Sequence, residues 1–145
     1  MAFFDPSEWD GKLYSSGWTT SNGGSQDIME PATETAIGRF GVANGEDVAR
    51  AVSVAHEAQK SWAATSYEER AAVLRRAGDL LEAHAETSND WLIREAGSAK
   101  GKAAFESHMV SGIFYAAAAV AMAPYGQLLR SGKPRLSLAR RLPVG

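Results

Sequence analysis

The stretch from Gly97 to Ala103 comes nearest to a motif that performs chemistry, because its glycines and lysines resemble a phosphate-binding P-loop. A P-loop places four residues between its glycines and ends in Gly-Lys followed by a hydroxyl residue that binds magnesium. Here only three residues separate Gly97 from Gly101, and Ala103 takes the place of the hydroxyl residue. No apolar strand precedes the stretch. We therefore predict a junction between two helices and no phosphate site.

The other reactive side chains also fail to form a recognisable catalytic or metal site. The sequence has no cysteine, which excludes a thiol nucleophile, a thiolate metal site and disulfides within these residues. Glu68 and Glu69 are adjacent, so on a helix they point about 100° apart and suit a helix N-terminus better than acid–base catalysis. The histidines are too far apart for a local pair of metal ligands, and no base can be named for a serine nucleophile. The residues concerned are His56, His84 and His108, and Ser15, Ser16 and Ser111.

The composition is that of a globular protein and excludes a disordered or fibrous chain. Of the 145 residues, 45% are hydrophobic and 22% are charged, which suits one domain of ordinary size. The residues from Met1 to Asp5 lack the basic and apolar segments of a signal peptide, so we expect a cytoplasmic protein. Residues 109–124 carry no charge but are fewer than the ~20 that a membrane span needs. We predict a buried helix there and no membrane partner.

Charge is distributed unevenly along the chain. The last 39 residues contain five basic side chains and no acidic one, so they carry +5, and residues 1–106 carry −7 of the net −2. Such a tail is compatible with nucleic-acid binding, but it lacks the interleaved aromatic residues of a single-strand binder. We predict a solvated strand whose arginines protect its edge, and no nucleic-acid partner. The basic residues are Arg130, Lys133, Arg135, Arg140 and Arg141.

The residue pattern divides the chain into a strand-and-turn region, a helical region and a β segment, at 1–43, 44–126 and 127–145. In the first region, short apolar segments alternate with turn residues and predict strands over 12–14, 26–30 and 35–42, arranged as a meander. In the last region, leucines alternate with polar residues and predict one strand over 134–144.

The helical region carries clear signals for the ends of its helices. Asn44 with Asp47 resembles a capping pair, and Ser66 with Glu69 forms a capping box. We predict that the helix after Ser66 breaks or restarts at residues 88–90 and that Gly97 ends it. A further helix is expected from Ala99 to Ala123, where Pro124 and Gly126 stop it. We expect its face formed by Met109, Tyr115 and Met122 to be core packing.

Taken together, five landmarks in order resemble the N-terminal part of the NAD(P)-dependent aldehyde dehydrogenases. They are the hairpin residues Gly17-Trp18, the turn Pro31-Ala32-Thr33-Glu34-Thr35, the helix from Glu46 to Ala58, Trp62 followed by Arg70-Ala71 and Leu74, and Arg141-Leu142-Pro143-Val144-Gly145. Two positions depart from the family pattern, since Glu30 stands for the usual Asn before Pro31 and the Gly-Glu of that turn is shifted to Glu34-Thr35. The segment from Leu92 to Glu106 is most similar to the benzaldehyde (or vanillin) dehydrogenase branch.

The resemblance implies an α/β fold of which this portion is mostly α-helical, with an N-terminal β-hairpin region and a C-terminal oligomerisation strand. It implies oxidation of a small-molecule aldehyde, in some members aromatic, by a cysteine thiolate and a glutamate-activated water, with NAD or NADP held in a Rossmann-like domain. None of those parts lies in these residues, so we assign no catalytic, cofactor-binding or metal residue here. The family's aldehyde tunnel borders the helix that contains His108, Ser111 and Tyr115, and Glu95 matches an acidic position near a structural cation.

The resemblance also implies a homo-oligomer, a dimer or tetramer, assembled through the C-terminal strand. Because the sequence stops inside that β segment, we expect a fragment that is inactive alone and that self-associates or is loosely folded. Two alternatives remain. One is a non-catalytic helical interaction module with a basic C-terminal tail, and the other is a truncated homologue that pairs with a full-length enzyme.

Overall fold

A computed structural model describes residues 5–142, and the elements are numbered in chain order. The strand-and-turn region contains a short helix and four strands: α1 (Pro6–Trp9), β1 (Lys12–Tyr14), β2 (Trp18–Thr20), β3 (Ser25–Glu30) and β4 (Thr35–Gly41). The helices follow: α2 (Gly45–Ala64), α3 (Tyr67–Ala83), α4 (Ala85–Ala96) and α5 (Lys100–Ala121). Two strands come last, β5 (Gly126–Leu129) and β6 (Ser137–Arg140). Residues 1–4 and the landmark residues 143–145 lie outside the described part.

Within residues 5–142 the strands form three separate antiparallel pairs, β1–β2, β3–β4 and β5–β6. The predicted strands at the N-terminal end are confirmed, but the predicted meander is wrong because β2 does not pair with β3. The turn between them binds instead to the end of β4, where the Gly23 N–H donates to the Val42 carbonyl at 3.0 Å and the Val42 N–H donates to the Gly24 carbonyl at 2.9 Å. These bonds separate β2 from β3.

The centre of the helical region is the contact between α3 and α5, and small side chains make it close. The fully buried apolar residues are alanines, Ala71 on α3 and Ala103 and Ala118 on α5. Opposite Tyr115 stands Gly78, and a Cβ placed on this glycine would lie 2.9 Å from Tyr115 Cε1. Two helices can approach this closely only where one of them has no side chain. The sequence therefore favours a tight α3–α5 pair through its small residues.

The predicted helix caps are confirmed, and one predicted helix break is wrong. Asn44 and Ser66 both form complete capping boxes, and Gly97 ends α4 in the left-handed conformation with φ 65°. The break between α3 and α4 falls at His84, four residues before the predicted position. Residues 88–90 stay helical, and Asn89 fixes them against α5, because the Ser107 hydroxyl of α5 donates to Asn89 Oδ1 at 2.6 Å.

Helix α5 confirms the predicted helix after Ala99, and none of the helices within residues 5–142 is long and apolar enough to cross a membrane. The predicted strand over 134–144 is confirmed as β6, which is shorter and spans Ser137–Arg140. The chain forms a hairpin in which β5 pairs with β6, with Leu128 opposite Leu138. The sequence pattern predicted a β segment over 127–145 but did not predict β5 as a separate strand, because its short apolar run follows the helix-stopping residues Pro124 and Gly126 directly.

Asp47 joins the N-terminal turn to the first long helix, and it is buried, with 3% of its surface exposed. Its Oδ2 accepts hydrogen bonds from the Asn22 N–H at 2.8 Å and the Asn44 N–H at 3.1 Å. Its Oδ1 accepts from Asn22 Nδ2 at 3.0 Å and from the Arg50 guanidinium at 2.5 Å. The Asn22 N–H, above all, holds the pKa of Asp47 below its usual value, because these bonds stabilise the charged carboxylate.

We expect Asp47→Ala to lower the melting temperature by several degrees, since it removes all these acceptors and leaves the Asn22 and Asn44 donors without a partner. A pKa that is lower in the folded state stabilises the fold above the unfolded value near ~4 and loses this effect as the pH falls. Thermal melts followed by circular dichroism between neutral and acidic pH measure both effects. The variant Glu46→Gln, at the exposed neighbouring carboxylate, is the control. Equal melting temperatures for both variants would contradict the role assigned to Asp47.

Candidate functional site

The glycine-rich stretch is a helix junction, as predicted. Gly97 is the last cap residue of α4, and α5 begins at Lys100. Lys102, which a P-loop would direct at a phosphate, forms an ion pair with Glu106 one turn further on, with Nζ and Oε1 2.6 Å apart. The backbone of the stretch thus ends one helix and begins the next, and Lys102 is paired with a carboxylate of its own helix. The geometry does not favour phosphate binding at this junction.

The described residues contain no group of three His, Asp or Glu side chains that could hold a metal ion. Glu69 binds back to Ser66 at the start of α3, as expected for a cap. Glu95, the acidic position that the family resemblance connects with a cation, lies exposed in the last turn of α4. Its role near a cation stays a prediction.

The three residues suggested as lining an aldehyde tunnel do not share one open surface. Ser111 is 2% exposed, and its hydroxyl donates to the Ser107 carbonyl at 3.2 Å. Tyr115 packs against α3, where its hydroxyl donates to Asp79 Oδ1 at 2.9 Å and this bond raises the pKa of Tyr115 to about 12. His108 is exposed. Ser111 is therefore buried and bonded within α5, Tyr115 joins α5 to α3, and of the three residues only His108 is fully exposed.

A different face of α5 is apolar and open. Phe105, Met109, Ile113 and Val120 recur at helical spacing on one side, and their exposed fractions run from 47% to 62%. We call these four residues the α5 stripe. The helical spacing of these four residues is visible in the sequence. Because α5 has apolar residues on several sides, the spacing did not show which side the rest of the chain would cover. The expectation that Met109 and Met122 are core packing is wrong within this chain, since each is 47% exposed.

Next to the α5 stripe lies a cavity of about 900 Å³, which we call the aromatic cavity. The N-terminal elements form one wall and helices α4 and α5 form the other. Trp9 of α1 and Trp91 of α4 meet edge to face in this region, with ring centroids 5.5 Å apart. The volume falls in the range that ligand sites occupy. Its aromatic lining residues are Trp9, Trp18, Phe40, Trp91 and Phe105.

The described residues do not fit a nicotinamide cofactor. A dinucleotide site of the Rossmann type needs parallel strands and a glycine-rich turn at a helix N-terminus. Every sheet within residues 5–142 is a two-stranded antiparallel pair, and the one glycine-rich junction is engaged as described above. No step of a redox reaction can be derived from these side chains. What the geometry offers is an apolar surface and a cavity beside it.

Comparison with known proteins gives the family. The model of the aldehyde dehydrogenase family matches residues 18–145. A vanillin dehydrogenase from an Amycolatopsis species is 50% identical over all 145 residues, which correspond to 30% of its length. A benzaldehyde dehydrogenase of Pseudomonas putida is 40% identical over 94% of this chain and 28% of its own length.

A solved structure agrees with the sequence matches. The NAD-dependent benzaldehyde dehydrogenase from Corynebacterium glutamicum superposes with a TM-score of 0.80 and 31% identity. The match covers 92% of this chain and 28% of that one. The chain thus spans less than a third of the length of these relatives and has the fold of their N-terminal part. The chain belongs to the aldehyde dehydrogenase family.

Proposed function

We propose that this chain is the N-terminal part of an enzyme that oxidises an aromatic aldehyde to a carboxylic acid with NAD or NADP. The identity of 50% to a vanillin dehydrogenase over every residue of the chain carries this proposal. The 40% identity to a benzaldehyde dehydrogenase supports the same class of substrate. The P. putida protein is named for NAD(+), which favours NAD over NADP.

In this proposal the chain is scaffolding, and the reacting groups belong to the remainder of the enzyme. The exposed area of the chain supports this role. It amounts to 10,469 Å², whereas a compact monomer of this mass exposes about 7,200 Å². Much of the difference is apolar, because large side chains on α2, α5 and the β5–β6 hairpin have no cover within the chain. Such faces are typical of surfaces that pack against other protein.

The three parts of the chain then have separate tasks. Residues 44–126 pack on the cofactor domain, and residues 127–145 lead towards it and contribute to the assembly of a homo-oligomer. The hairpin suits assembly because Leu128 and Leu136 are each 75% exposed, and within residues 5–142 no third strand pairs with its edges. Residues 5–43 cover the helices from one side. The cytoplasm remains the expected location.

A chimera tests the proposed function. The segment of the Amycolatopsis vanillin dehydrogenase that matches this chain is replaced by residues 1–145, and oxidation of vanillin is followed by the formation of NADH. We expect a rate within about tenfold of the parent enzyme, since a tenfold change corresponds to only about 1.4 kcal/mol of barrier. The isolated chain should give no turnover, because it has no cysteine to attack an aldehyde.

Two outcomes would count against this function. A chimera that is folded and assembled like the parent, yet inactive, would show that the chain does not serve as this part of the enzyme. Turnover of aldehyde by the pure isolated chain would show that the reacting groups lie within it. The unmodified parent enzyme, purified in parallel, is the positive control for the assay.

A further inference from the structure

Two of the three asparagines in the chain precede a glycine, and an asparagine in this position is prone to spontaneous deamidation. In this reaction the backbone nitrogen of the following residue attacks the side-chain carbonyl carbon of the asparagine. Glycine favours the attack because it has no Cβ to hinder the ring that forms. The two dipeptides are Asn22-Gly23 and Asn44-Gly45, whereas Asn89 precedes Asp90.

The fold requires the glycine that follows Asn22. The Gly23 N–H donates to the Val42 carbonyl at 3.0 Å, and a Cβ at this position would collide with the Val42 carbonyl oxygen. A Cβ on Gly45, by contrast, would meet nothing within 4 Å. An asparagine at position 22 is therefore always followed by the residue that most favours its deamidation.

Asp47 holds the reactive side chain in the folded turn. Asn22 is exposed, but its Nδ2 donates to Asp47 Oδ1 at 3.0 Å and its backbone N–H donates to Asp47 Oδ2 at 2.8 Å. Loss of the Asn22 amide nitrogen breaks the bond to Asp47, and loss of the Gly23 amide proton breaks the bond to Val42. The folded turn thus opposes the reaction at both residues, and the turn has to open locally before they can react.

We propose that Asn22 is a site of spontaneous deamidation whose rate is controlled by Asp47. When the turn opens, the Gly23 nitrogen gives its proton to water and bonds to Asn22 Cγ, and the Cγ–Nδ2 bond breaks and releases ammonia. A second water then adds to one of the two carbonyl carbons of the succinimide ring and opens it to aspartate or isoaspartate. Water is the only co-reactant. The inference does not depend on the proposed enzymatic function, so it can fail while the chimera succeeds.

The product does not fit the place of the asparagine. A carboxylate at position 22 has no proton to donate to Asp47 Oδ1, and the two like charges repel each other. Asp47 is buried, so water screens this repulsion poorly. The reaction therefore detaches the turn from the start of α2, and the loss of ammonia prevents its reversal.

Deamidation is measured by incubating the purified chain at neutral pH and following each asparagine by proteolysis and mass spectrometry. We expect slow reaction at Asn22 in the unmodified chain and a rate at least about tenfold higher in Asp47→Ala, which removes both bonds to a charged acceptor. Asn44 is the internal reference, because its Oδ1 accepts from the backbone N–H of residue 47, which the substitution keeps. Its rate should change less. Asp47→Asn, with one acceptor oxygen in place of two, should give an intermediate rate at Asn22.

Gly78→Ala is the control for stability, because it disturbs the α3–α5 contact and leaves the bonds of Asp47 in place. Circular dichroism establishes that each variant is folded, and Asp47→Asn decides the comparison if the alanine variant is not. The proposal is overturned if folded Asp47 variants leave the Asn22 rate unchanged or raise the Asn44 rate equally. It is also overturned if Gly78→Ala accelerates Asn22 as much, or if Asn22 reacts no faster than Asn89 in the urea-unfolded chain.

Discussion

The substitution Ile113→Asp should abolish aldehyde oxidation by the chimera and leave the isolated chain folded. Ile113 lies in the middle of the α5 stripe and is 60% exposed in this chain. An aspartate there remains in water, and exposed substitutions change stability by only about 0.5 kcal/mol. If the stripe packs against the remainder of the enzyme, the same carboxylate becomes buried without a partner, which costs several kcal/mol. Activity should then fall at least about 100-fold.

Two measurements made in parallel check this expectation: the thermal melt of the isolated variant and the rate of NADH formation by the chimera. Ile113→Val is the matched control, because it changes the same position, keeps it apolar and should retain most of the activity. If the aspartate chimera were as active as the valine chimera, the stripe would be a solvent-exposed face in the enzyme, and the scaffolding role of α5 would have to be abandoned.

The second large effect concerns the contact between α3 and α5. Gly78→Ala places a Cβ 2.9 Å from Tyr115 Cε1 and 3.0 Å from Cζ, distances at which the ring has to move. Movement of the ring also disturbs the bond from the Tyr115 hydroxyl to Asp79. Overpacking of this kind costs about 1–3 kcal/mol, and the better helix propensity of alanine returns up to about 1 kcal/mol. We expect a net loss of about 1–2 kcal/mol in the free energy of unfolding.

Gly112→Ala is the control, because a Cβ on this α5 glycine meets nothing within 4 Å. Here only the propensity gain remains, and stability should rise by about 0.5–1 kcal/mol. Urea unfolding curves of the two variants and the parent chain give both values. The same sign for both substitutions would mean that Gly78 does not mediate a close contact, and that the α3–α5 pair is held in another way.

The ends of the helices could be predicted from the sequence because each depends on residues three or four positions apart. The capping boxes at Asn44 and Ser66 and the left-handed Gly97 are of this kind. Hydrogen bonds within one turn need no information from the rest of the fold. The family could also be predicted, since ordered landmarks along the chain do not depend on their positions in space.

Contacts between residues that are far apart in the sequence determine those secondary-structure features that local patterns did not predict. Residues 88–90 have the composition of a helix break, yet they stay helical because Asn89 binds Ser107, 18 residues away. The β5–β6 hairpin likewise depends on antiparallel pairing between two separate segments of the chain. A pattern read along the chain contains no information about such partners, so both features appear only in the tertiary structure.

At the candidate site, too, some features follow from the sequence and others only from the tertiary structure. The sequence by itself determined that α5 is a long apolar helix. Only the tertiary structure decided that α3 covers the side with Tyr115 and leaves the α5 stripe open. The physical reason is that α5 is apolar around much of its circumference, so burial of any side is favourable, and the close approach permitted by Gly78 selects one of them.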